Sequence, residues 1–103
     1  MQVKPRYIIL FYDHSENVLS MKQLLQHLPV PVETNSVENF QQLLDSIDNR
    51  LPDIIIVYVN DPVKRYIDYL KSLRVNNGMD EIPVYVFTAL PEKQTLIELM
   101  AEL

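Results

Sequence analysis

The stretch "PDIIIVYVNDP", Pro52 to Pro62, decides the fold. Ile54, Ile55, Ile56 and Val57 follow one another without a polar break, a pattern that suits a strand buried on both faces, and such strands belong to parallel sheets covered by helices. Asn60, Asp61 and Pro62 end the run with turn chemistry. Tyr58 therefore stands at the carboxyl end of a buried parallel strand, where functional groups gather in open α/β sheets. Its role there is the functional question.

Working outward, Arg6 to Tyr12 (RYIILFY) is a second continuous apolar and aromatic run, read as the first strand. Asp13-His14-Ser15 ends it with turn and N-cap chemistry. Val18, Met21, Leu25 and Leu28 then recur at helical steps up to Pro29. Val30 to Glu33 read as a short second strand. Asn35-Ser36 can cap a helix whose Val37, Phe40, Leu43, Leu44 and Ile47 share one face, closed by Leu51-Pro52. After the opening stretch, Val63, Tyr66, Ile67, Leu70 and Leu73 define a third helix that exits at Asn76-Asn77-Gly78. Val84 to Thr88 (VYVFT) read as strand four, and Pro91 opens a last helix carrying Ile97, Met100 and Leu103. The order is βαβαβαβα. Strict alternation predicts an α/β three-layer architecture, a parallel sheet with right-handed crossovers.

Composition narrows the function. A chain of 103 residues has room for one core, so residues 1–103 are read as a single domain. The absence of cysteine excludes disulfides, thiol nucleophiles and thiolate metal sites. No stretch approaches a membrane span and no signal-peptide pattern opens the chain, which gives a cytoplasmic expectation. A single glycine, Gly78, rules out Gly-rich phosphate loops. With a net charge of -5 and no basic cluster beyond Lys64-Arg65, the chain is not expected to bind nucleic acid.

The segments "ILFYDHSEN", "VETNSVENFQQLL", "PDIIIVYVNDP" and "IPVYVFTA" together resemble a response-regulator receiver domain. The resemblance implies a flavodoxin-like sheet of order 2-1-3-4, with the family's fifth strand and helix missing, and a setting in two-component signalling. It further implies two acidic residues after strand one that hold magnesium, a phosphoacceptor aspartate ending strand three, and a switch hydroxyl on strand four. Asp13 matches the first acidic position and His14 replaces the second. Tyr58 stands at the phosphoacceptor position, Asn60 at the position offering a carbonyl to the metal, Thr88 at the switch hydroxyl, and Pro62 in the following loop.

The departures from the family pattern predict lost chemistry. A phenol, with a reference pKa near 10, is ionised at about one part in a thousand at neutral pH and cannot replace a carboxylate as acceptor. Imidazole and phenol in place of two carboxylates remove anionic oxygen ligands that magnesium needs, so no metal or other cofactor is expected, Asp13 being the one weak candidate ligand. Two plainer readings stand beside these: Tyr58 as an aromatic packing over a neighbouring helix, and Asp13-His14 as a helix-start acid beside a solvated ring. Thr88 suits a strand by propensity alone, and His27 suits a helix C-terminus.

The reading these residues favour is a degenerate, non-enzymatic receiver-like module that binds a protein partner independently of phosphorylation. It is expected to self-associate or dock through strand four and helix four, with Tyr69, Tyr85, Phe87, Ile97 and Met100 as the surface. One alternative is a metal-dependent phosphoryl switch or small enzyme using Asp13, His14 and Asp61. Another is a thioredoxin-like binding domain without cysteines, against which the helical segment Val63 to Leu73 already argues.

Overall fold

The computed structural model describes residues 4–59, 63–77 and 81–102. These form β1 (Arg6–Tyr12), α1 (Ser15–Gln26), β2 (Val32–Val37), α2 (Phe40–Asn49), β3 (Ile54–Tyr58), α3 (Val63–Asn77), β4 (Val84–Phe87) and α4 (Lys93–Ala101). The strands pair in parallel in the order β2-β1-β3-β4, the flavodoxin-like arrangement expected. Because α3 separates β3 from β4 and the two strands run parallel, the thioredoxin-like alternative is set aside.

β1 and β3 sit at the centre, and their alternation explains the unbroken apolar runs. Tyr7, Ile9 and Phe11 of β1, with Ile55, Val57 and Val59, face Leu43 and Ile47 of α2 and Leu70 and Leu73 of α3. Ile8 and Leu10, with Ile54, Ile56 and Tyr58, face Met21 and Leu25 of α1 and Leu96 and Met100 of α4. Each wholly buried isoleucine or leucine contributes about 1.5–3 kcal/mol by leaving water. The entry to β3 is tied to β1 twice: Asp53 donates its amide to the Tyr7 carbonyl at 2.8 Å, and its carboxylate accepts the Tyr7 amide at 2.7 Å.

β2 departs from expectation. It runs from Val32 to Val37 rather than from Val30 to Glu33, so Asn35 and Ser36 are strand residues and Val37 belongs to the sheet. The cause is backbone pairing: Val32 to Val37 match Arg6 to Phe11 residue for residue, giving the outer groups of β1 partners along most of its length. Asn35 turns its amide inward, donating to Tyr7 Oη at 3.2 Å and Ser46 Oγ at 3.0 Å. The cap of α2 falls to Asn39, whose side chain accepts the Gln42 amide at 2.9 Å.

Smaller differences concern element ends. α1 stops at Gln26, and Leu28 is buried beyond it. β4 ends at Phe87, leaving Thr88 exposed in the bend that follows. α4 begins at Lys93 after Glu92, two residues past Pro91, and buries Leu96 with Met100, while Ile97 is half-buried. Asn60, Asp61, Pro62, Gly78 and Leu103 lie outside the described residues. No helix among the described residues is long and apolar enough to cross a membrane.

Candidate functional site at the carboxyl end of the sheet

Tyr12, Tyr58 and Phe87 stand side by side in register across β1, β3 and β4, forming an aromatic row at the carboxyl end of the sheet. Residues in parallel register share a face, and this row faces α1 and α4. Tyr58 is only 8% exposed and belongs to the apolar cluster that this face of the sheet shares with α1 and α4. The phenol at the position matched to a phosphoacceptor thus serves as core.

Asp13 and His14 follow β1 directly. Asp13 has a side chain 7% exposed against 64% for His14, and Asp13 Oδ2 lies 3.9 Å from His14 Nε2. His14 is the N-cap of α1, with extended backbone (φ -130, ψ 138), and its own side chain makes no cap bond. The Asp13 carboxylate is held just before the amino end of α1, where the helix dipole favours negative charge. An oxygen and an imidazole nitrogen are a mixed donor pair, unsuited to magnesium, and among the described residues no three His, Cys, Asp or Glu side chains converge as a metal site. Thr88 lies one residue beyond Phe87, the register partner of Tyr58.

The residues expected to form an interaction surface divide. Met100 is 3% exposed and belongs to the core, a correction that follows from α4 laying this side against β1 and β3. Tyr85, Phe87 and Ile97 are half-buried on the same face, and Tyr85 Oη donates to Glu102 Oε2 at 3.4 Å. Tyr69 sits on the other face of the sheet, stacked on Phe40 with centroids 4.9 Å apart and planes at 26°. The Tyr69 hydroxyl accepts Arg65 Nε at 2.8 Å.

That second cluster went unnoticed in the sequence apart from Tyr69. Phe11 meets Tyr66 edge-on at 5.4 Å, and these two with Phe40, Tyr69, Arg65 and Glu38 line a cavity of about 170 Å³ between α2 and α3. The four-residue step from Arg65 to Tyr69 is the one local signal that could have revealed it. Phe40 comes from a separate helix.

At β4 the open edge presents hydrogen-bonding groups. Pro83 and Phe87 carbonyls accept from Ile55 and Val59 amides at 3.0 and 3.2 Å, so the intervening Val84 and Val86 direct their backbone groups away from β3. Their side chains, with Ile67, Leu70 and Lys71, line a shallow cavity of about 170 Å³ on the α3 side. Comparison with known proteins finds no matching family model, no matching curated protein and no matching solved structure.

Proposed function

We propose that the protein is a non-catalytic, receiver-like interaction module that works in the cytoplasm, in signalling or regulation, without phosphorylation. The observation that carries this reading is Tyr58: at the end of β3, where phosphotransfer needs an accessible carboxylate, stands a buried phenol that belongs to the apolar core on the α1 and α4 face. The partner surface is the β4 edge. The backbone groups of Val84 and Val86, which among the described residues have no strand beyond them, and their half-buried side chains suit strand addition, and a second copy of the chain is the simplest donor of that strand.

The position of α4 supports an edge left for a partner. α3 carries the chain from β3 outward to β4 over the face it shares with α2, whereas α4 lies on the α1 face. A right-handed crossover continuing outward from β4 runs on the α3 face, so α4 is not on the path to a further outer strand. The test is solution mass by light scattering over a concentration series, with and without magnesium and beryllofluoride, a phosphoryl mimic. A dimer or larger species indifferent to both additions is expected. A monomer whose mass or thermal midpoint responds to them overturns the reading.

A further inference from the structure

We propose that the cavity between α2 and α3, at the carboxyl end of β1, binds a small zwitterion bearing a single apolar ring, in chemical class an aromatic α-amino acid. The site is independent of the β4 edge. Its volume, about 170 Å³, is of the order of the ~150 Å³ closed protein cavity that accepts benzene, so one ring fits between its aromatic walls while its open side leaves charged groups at the rim. Phe11, Phe40, Tyr66 and Tyr69 supply aromatic walls already fixed by the edge-on Phe11–Tyr66 contact and the stacked Phe40–Tyr69 pair.

The charges select what the ring carries. Among the described residues Arg65 bonds through Nε to the Tyr69 hydroxyl, which leaves the outer guanidinium nitrogens to grip a carboxylate. Among the described residues no carboxylate forms an ion pair with Arg65. Glu38 lines the same cavity, and among the described residues it too has no ion-pair partner. A plain anion meets the Glu38 carboxylate and a plain cation meets Arg65, whereas a ligand with both charges answers each. The backbone of the rim is pre-set: Asn39 caps α2 through the Gln42 amide, and Gln42 Oε1 accepts the Glu38 amide at 2.9 Å. The ligand has to order only the exposed Glu38 and Arg65 side chains.

The experiment is a titration of isotope-labelled protein, followed by amide NMR, with L-phenylalanine, phenethylamine and 3-phenylpropionate. L-phenylalanine should saturably shift the resonances of Asn39, Phe40, Arg65 and Tyr66, and each ligand lacking one charge should bind at least about tenfold more weakly. Arg65→Gln, at an exposed side chain, should weaken L-phenylalanine by a similar factor with an unchanged circular dichroism spectrum. The proposal is overturned if no saturable shift appears up to about 20 mM, if the shifts map elsewhere, or if 3-phenylpropionate binds as well as the amino acid. The comparison of three ligands needs only the unmodified protein, so it decides the matter whatever the variant does.

Discussion

An aspartate at position 58 would be buried rather than presented to solvent. Tyr58 is 8% exposed within the apolar cluster on the α1 and α4 face, so Tyr58→Asp puts a carboxylate into an apolar environment. Denaturant unfolding should register a loss of about 3 kcal/mol or more, and Tyr58→Phe, which keeps the ring, should stay within about 1 kcal/mol of the parent. Equal stability of the aspartate variant would mean that position 58 opens to water. The start of β1 offers a second comparison of magnitudes. Arg50 Nη1 reaches both Glu33 carboxylate oxygens at 2.9 and 3.0 Å, but the pair is about half exposed, with side-chain accessibilities of 47% and 52%. Such a bridge contributes about 0–1 kcal/mol. The Arg50 guanidinium also lies 4.1 Å from the Tyr7 ring centroid. Arg50→Ala should therefore cost more than Glu33→Gln, by about 0.5–1 kcal/mol, since it removes the cation and the stem that cover the ring.

At the scale of elements, the start of α2 separates what the sequence reveals from what only pairing decides. Asn39→Ala removes the side-chain acceptor for the Gln42 amide and should cost about 1 kcal/mol. Ser36→Ala, at the residue that sequence reasoning places in the cap, should be neutral or slightly stabilising, because Ser36 Oγ is buried in β2 with no hydrogen-bond partner among the described residues. The opposite ranking in thermal or chemical unfolding would return the cap to Asn35-Ser36. β1 and β3 were legible because both of their faces are buried, which demands unbroken apolar residues. β2 was not, because VETNSV is an edge strand whose polar residues look like turn and cap chemistry, and what makes it a strand is the register with β1. The same contrast marks the site. Tyr58 could be placed from its strand alone, whereas the cavity around Arg65 needs Phe11 from β1, Phe40 from α2 and Tyr66 from α3, which no sequence spacing brings together.

For the whole molecule, the central consequence is the asymmetry of the sheet's two edges. β2 ends the sheet with polar and charged residues, Glu33 among them, bound to Arg50, which discourages pairing with another chain. β4 ends it with VYVF, and Val84 and Val86 direct backbone groups outward. Lysine on an edge strand is a common defence against such pairing. Val86→Lys is the direct test: its stem can lie along Ile67 and Leu70 while the ammonium reaches water, so the fold should lose no more than about 1–2 kcal/mol. If β4 pairs with a second copy, the scattering mass of this variant should fall to that of the 12.1 kDa chain at concentrations where the parent is dimeric. Ile97→Lys serves as the control, because Ile97 sits on the α1/α4 face and its replacement leaves the outward amides of β4 untouched. A parent dimer that persists in Val86→Lys but dissociates in Ile97→Lys would move the interface from the strand edge to α4. Dissociation in Val86→Lys alone would fix it at the edge, where the valine side chains and the outward amides of Val84 and Val86 lie together.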